Sequence, residues 1–311
     1  MKRELLAFAA TAGVTCALAP AVRRLMLKVG TIDVPNHRSS HTTPVPRGGG
    51  VAAIGGAASA LLLTRCRPRV GVLLPVAGLA VVGYLDDHRS ARGGLPAASR
   101  LGAQLLAGSL LTKEPIDRGI AAVLTPSVVN IVNFMDGING ISALTALVWG
   151  VNTQAATSAD ARLLGALAAG AGLGFLPWNV PTARLFLGDS GSYLLGGLMA
   201  AGIVRAHADD QLLAAVCLAA PLMPYTADAA QAIARRRAAG ASLTEAHREH
   251  VYQRIVDSGA LTHSQMATLH GLFATACALA WRRLPAHVAV PTSAAICSGY
   301  LAMPKLLKGT V

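Results

Sequence analysis

Apolar runs long enough to cross a bilayer recur from one end of this 311-residue chain to the other. A helix rises about 1.5 Å per residue, so about 17–25 mainly apolar residues span the hydrocarbon core. Such runs, some slightly shorter, lie near 4–22, 48–64, 70–85, 96–112, 119–134, 138–156, 161–177, 191–206, 210–227, 263–281 and 286–304. The first, ELLAFAATAGVTCALAPAV, follows a basic start and resembles a signal peptide. With so many runs behind it, it reads as a retained first span. Backbone polar groups in hydrocarbon must bond within their own segment, which makes the spans helices. The expected fold class is all-α: a polytopic membrane helical bundle of about 10–11 transmembrane helices, with residues 1–311 as one domain. Gly and Pro interruptions predict one or two broken or re-entrant helices.

Charged residues make up 14% of the chain and hydrophobic ones 53%, with mean hydropathy +0.50. Soluble domains carry about 25% charged residues. Small Ala and Gly side chains let helices approach closely in lipid, and such faces also allow a homodimer. The net charge of +12 is not accompanied by a soluble basic domain with base-reading elements, so no nucleic-acid partner is expected. Short basic loops instead suit lipid head groups and phosphate-bearing substrates. Cys16, Cys66, Cys217, Cys277 and Cys297 lack CxxC spacing and read as small buried thiols.

The loops sort by chemistry. Those after the first, third, fifth, seventh and ninth spans hold every unusual polar motif, the last running from Asp228 to Thr262; the alternate loops are short (RCRPR, KEPIDRG, TSADA, HADD, RRLPAH). The motif side carries 16 of the 27 Lys and Arg residues. That bias assigns it to the cytoplasm.

Four clusters stand on that side. In GYLDDHRSARGG an apolar run ends on Asp86 and Asp87. Adjacent carboxylates repel, which readies one for proton transfer unless a cation neutralises both. A solvated helix end flanked by Arg89 and Arg92 fits equally well. In NIVNFMDGINGIS, Asn130, Asn133, Asp136 and Asn139 recur every third residue, a polar stripe suited to a ligand pocket. In PWNVPTARLFLGDSGS, Asp189 opens an apolar helix whose N–H groups attract phosphate, and its carboxylate can hold Mg²⁺. Asp189 as a helix cap and Phe186 as core are the plainer alternatives. In SLTEAHREHVYQRIV, His247 and His250 lack a third zinc ligand, and the Arg235–Arg237 run before them reads as a solvated or lipid-facing stretch.

With DVPNHRSSHTTPVPRGGG, GYLDDHRSARGGLPAASRLGAQ, NIVNFMDGING, FLPWNVPTARLFLGDSGS and HREHVYQ in this order, the chain resembles the polyprenyl-phosphate N-acetylhexosamine-1-phosphate transferases. HREHVYQ is most similar to members that initiate O-antigen or related surface polysaccharides. The resemblance implies transfer of an N-acetylhexosamine 1-phosphate from a UDP-sugar to undecaprenyl phosphate, releasing UMP. It implies an inner-membrane enzyme with a cytoplasmic active site. It makes Asp86 and Asp87 catalytic and Asp189 the ligand of Mg²⁺, for which Mn²⁺ can substitute. Asn133, Asp136, Asn139, Asn179, Phe186, Arg248 and His250 become substrate-binding, with Phe186 where an aromatic ring stacks uracil. Two departures accompany it: Asn139 replaces the second Asp of the DGxDG pattern, and Tyr252 and Gln253 stand where some members continue a run of histidines. The second argues against an identity with the N-acetylglucosamine-specific or peptidoglycan enzymes. The competing class is a transporter, which would gather its polar groups near mid-membrane and repeat its halves.

Overall fold

The computed structural model describes residues 2–35, 41–65, 68–89, 93–210, 212–240 and 249–307. The chain is an all-α polytopic membrane protein. Its helices are α1 (Lys2–Val29), α2 (Gly50–Thr64), α3 (Val70–Arg89), α4 (Ala97–Leu110), α5 (Pro115–Phe134), α6 (Ile141–Thr153), α7 (Ala159–Asn179), α8 (Gly188–Asp210), α9 (Leu212–Ala219), α10 (Met223–Ala238), α11 (Val251–Asp257), α12 (His263–Arg283) and α13 (Ala286–Leu307). Between α1 and α2 lies a short antiparallel pair, β1 (Ile32–Asp33) and β2 (Val45–Pro46).

Local chemistry sets the boundaries. Ser158 caps α7 by accepting the Ala161 N–H, and Thr262 with Gln265 forms a reciprocal capping box at α12. Pro115 opens α5, where a missing N–H costs nothing. The run at 210–227 is broken, as its prolines predict: Pro221 lies in the single 3₁₀ turn Ala220–Leu222 between α9 and α10. Beyond it the expected loop from Asp228 is helix as far as Ala238, because ADAAQAIARRRA is rich in strong helix formers.

Helix α8 is the central post. Residues 191–206 are buried without interruption, as befits a helix apolar on all sides. It packs against α2, α3, α5, α7 and α9, while α7 fills the space between α1 and α6. Outward-facing Leu62, Leu74, Leu106, Ile116 and Leu212 are exposed, and in lipid they need no protein partner. By length and composition α1, α3, α7 and the run Leu212–Ala238 can cross a membrane, with α2 and α6 as shorter apolar helices.

Polar side chains divide between the two ends. At one, Arg69 and Arg205 meet Asp160 and Asp209, and Arg162 meets Glu4. At the other lie the ends of α3, α5 and α7 and the start of α8. In the core between them Trp149 on α6 is fully buried, and its indole N–H donates to the Leu218 carbonyl of α9 at 2.9 Å. Trp149→Ala should cost about 3–5 kcal/mol through the cavity it leaves, read as a lower thermal unfolding midpoint of the detergent-purified protein.

Candidate active site

Asp86 and Asp87 end α3, each 3% exposed. Their environments differ. Asp87 accepts the backbone N–H groups of Asp189 and Ser190 at 2.9 Å each, so it caps the start of α8 from a different helix. The Arg47 Nε atom lies 3.1 Å from its Oδ1. Asp86 accepts the Leu95 N–H and pairs with Arg100 at 2.9 Å.

This approach of α3 to α8 requires glycine. A Cβ on Gly83 would sit 2.2 Å from the Asp189 carbonyl oxygen. Gly188, at φ +74°, turns the chain into α8 where a side chain would strike the Asp87 carboxylate.

Asp189 stands in the first turn of α8. Its Oδ1 accepts from Arg47 Nη2 at 2.8 Å and from Asn133 Nδ2 at 2.9 Å. Asn133 also donates to the Ser192 hydroxyl at 2.9 Å, which fixes its amide. The carboxyl of Asp86 lies within hydrogen-bonding reach of Asp189. Two carboxylates in contact are stable only with a proton or a cation between them.

Arg47 thus bridges Asp87 and Asp189. Burial disfavours its charge, but the two carboxylates more than compensate and raise its pKa above the usual arginine value. Its backbone is held as firmly as its head group. Arg47 pairs with Phe186 in a parallel bridge, flanked by hydrogen bonds from Phe186 N–H to Pro46 O at 2.9 Å and from Gly49 N–H to Phe186 O at 2.8 Å. The Phe186 ring is half-buried and meets His41 edge-on, with centroids 4.8 Å apart.

The remaining candidates form a second layer. Asp136 is half-buried in the turn after α5, and burial pushes its carboxyl up to about 6 against the nearby positive charge of Arg47. Asn139 donates through Nδ2 to the Pro181 carbonyl at 3.3 Å, and its backbone N–H donates to His263 Nδ1 at 3.2 Å. Asn179 clasps two loops, accepting the Gly140 N–H and donating to the Leu185 carbonyl at 3.2 Å. Arg248 and His247 lie outside the described residues, as does Cys66.

His250 is 4% exposed, with Nδ1 3.1 Å from Asp228 Oδ1. Asp228 also accepts from the Val251 N–H and, at 3.3 Å, from the Tyr300 hydroxyl. The next residue but one, Tyr252, donates to the Phe134 carbonyl at 3.1 Å and so ties this segment to the Asp136 turn. The arginine run before it is not uniformly solvated: Arg236 is buried and pairs with Glu249.

The structure therefore gathers Asp86, Asp87, Asn133 and Asp189 directly, sets Asp136 and Phe186 beside them, and uses Asn139, Asn179 and His250 to fix surrounding loops. Sequence reasoning missed Arg47, Arg100, Ser192, Asp228 and His263. Of these, Arg47 alone had a visible signal, as the one charge in the PVPRGGG turn.

A divalent cation fits the carboxylate set. The donors are hard oxygens with no thiolate beside them, and among the described residues no three acidic, His or Cys side chains form a ready-made cage. Mg²⁺ characteristically takes one or two carboxylates and fills its remaining positions with water and substrate phosphate.

Residues 69–207 match the model of glycosyl transferase family 4. The chain is similar to decaprenyl-phosphate N-acetylglucosaminephosphotransferase of Mycolicibacterium smegmatis, 29% identical over 83% of this chain and 76% of that one. Over shorter stretches it is similar to phospho-N-acetylmuramoyl-pentapeptide-transferase of a Mycobacterium species, 54% identical over 13% of this chain and 11% of that one. It is also similar to undecaprenyl-phosphate alpha-N-acetylglucosaminyl 1-phosphate transferase of Yersinia pestis, 38% identical over 21% of this chain and 19% of that one.

Because Asp136 titrates near 6 when folded and near 3.8 otherwise, the folded chain holds an extra proton between those values. Stability contributed by this residue falls as pH rises through that window and is level above it. Asp136→Asn, which keeps the neutral form, should gain thermal midpoint relative to wild type between pH 4 and 6 and keep a constant margin above.

Proposed function

Since the chain belongs to glycosyl transferase family 4, the polyprenyl-phosphate N-acetylhexosamine-1-phosphate transferases, we propose that it passes such a sugar phosphate from a UDP-sugar to undecaprenyl phosphate. UMP is released, and the product is the first lipid-linked intermediate of a surface polysaccharide such as O-antigen. The site works on the cytoplasmic face of the inner membrane. The observation that carries this reading is the meeting of Asp86, Asp87 and Asp189, from two helices, with Asn133 and Arg47 at one end of an apolar bundle. A transporter would hold such groups at mid-depth.

Asp189 would hold Mg²⁺, or Mn²⁺ in its place, with Asp86 as the second carboxylate; the cation would withdraw charge from the donor diphosphate. Asn133 and Arg47 together hold Asp189 Oδ1 in one orientation. Phe186 offers a ring face to uracil. At the membrane surface an oxygen of the acceptor phosphate attacks the sugar-bearing phosphorus in line, the bond to UMP breaks, and a polyprenyl diphosphate sugar forms. Asp86, held by Arg100, orients the acceptor phosphate. Asp87 already has both oxygens engaged by N–H groups and Arg47, which favours direct displacement over an aspartyl-phosphate at this residue. His250, bonded to Asp228, fixes the start of α11, and Arg248 would offset phosphate charge.

The relatives named for N-acetylglucosamine make that sugar the first donor to test. Membranes containing the protein should convert one or more UDP-N-acetylhexosamines and undecaprenyl phosphate into equimolar UMP and lipid-linked sugar phosphate. Absence of both products across a panel of donors would remove the transferase reading. Asp189→Asn should reduce turnover by at least about a hundredfold at saturating Mg²⁺, measured as UMP release.

A further inference from the structure

Arg47 belongs to none of the roles assigned so far, yet it has the most constrained geometry at the site. Its Nε faces Asp87 at 3.1 Å and its Nη2 faces Asp189 at 2.8 Å. That leaves Nη1, with two N–H donors, unengaged among the described residues, on a side chain 31% exposed. A guanidinium is a planar fork suited to two oxyanions at once. Here it occupies the gap between the two carboxylates, a position a divalent cation would also favour.

The backbone adds a direction. Arg47 and Phe186 are directly paired across a parallel bridge, and paired residues of a ladder present their side chains to the same face. Asp189 follows Phe186 by three residues, at the N-terminal turn of α8. A uridine nucleotide stacked on Phe186 would therefore run its phosphates toward Arg47 and the α8 start, where N–H groups favour anions.

We propose that Arg47 is the residue that grips the diphosphate of the nucleotide donor, and that Asp87 and Asp189 keep it in place until a divalent cation takes over Asp189. In the resting site the guanidinium bridges two carboxylates that would otherwise repel. With a cation and donor bound, Asp189 would serve the cation, and the freed face of the Arg47 fork would meet the phosphate oxygens. Asp87 retains the Nε contact and so keeps the side chain at its post. The exchange adds positive charge at Asp189, a divalent cation in place of a monovalent guanidinium, and so offsets the charge of the incoming diphosphate. The proposal rests on the nucleotide-sugar reading above and adds a residue and a binding order to it.

The test uses the purified full-length protein in detergent with UDP, UMP and Mn²⁺ as probes. Free Mn²⁺ is followed by its paramagnetic resonance signal, and nucleotide affinity by equilibrium dialysis. Arg47→Gln should weaken UDP by about tenfold or more, as expected for loss of a charge-assisted bond, while UMP stays within about twofold. Mn²⁺ alone should bind Arg47→Gln more tightly than wild type, because its internal competitor is gone. Arg47→Lys, which keeps the charge but not the fork, should fall between the two for UDP and guards against misfolding of the neutral variant. A purely structural role would weaken UDP, UMP and Mn²⁺ in parallel, and that result would overturn the proposal. So would an unchanged preference for UDP over UMP in both variants. If the wild-type protein binds neither nucleotide, the nucleotide-sugar reading itself fails.

Discussion

A carboxylate at the end of an apolar helix has left much of its water behind, and the loss is offset only where donors surround it. Asp87 meets that condition with groups from two distant parts of the chain: the first N–H groups of α8 and the guanidinium of Arg47. One side chain thereby joins α3, α8 and the turn before α2. The close approach this demands explains why Gly83 and Gly188 carry no side chains. It also removes the opposition between a capping role and a functional one. By pinning the first turn of α8, Asp87 decides where Asp189 points.

The membrane architecture was legible because the signal is physical and local. A segment that must satisfy its backbone in lipid has to be long, apolar and helical, and each predicted run coincides with a helix, three of them overrunning it by up to three residues, or, at 210–227, with a broken one. The helical continuation to Ala238 was hidden because the end of the apolar run was taken as the end of the helix, although propensity carries it further. The β1–β2 pair was invisible for the opposite reason, since two-residue strands are too short for alternation to register. At the site, Asp86, Asp87, Asn133 and Asp189 could be read from their residue types. Arg47 showed only as a lone charge in a Pro- and Gly-rich turn, because its role depends on a bridge to Phe186 nearly half the chain away. Asp228 was equally obscure: a lone acid beside an apolar run gives no hint that His250, Val251 and Tyr300 will converge on it.

Asn139 replaces a carboxylate in the sequence pattern, and its surroundings give the reason. Its amide nitrogen donates to the Pro181 carbonyl. An ionised aspartate there would set oxygen against oxygen, whereas an amide closes the contact between the Asp136 turn and the loop before Phe186. The neighbouring clasp of Asn179 on Gly140 and Leu185 works between the same two loops. Neutral amides hold this part of the site together, and the charge is kept for the centre.

That centre is out of electrical balance. Among the described residues, Asp86, Asp87, Asp136 and Asp189 carry four negative charges when ionised, and Arg47 and Arg100 return two. A carboxyl kept near 6 in the case of Asp136 relieves part of the deficit only below neutrality. At neutral pH a divalent cation, as proposed for Asp189, would supply two positive charges. A diphosphate arriving without a cation would meet a net negative field and be repelled; arriving with one, it would meet a site brought to neutrality. In the proposed scheme, electrostatics would set the order in which cation, Arg47 and donor come together before any bond to phosphorus is made or broken.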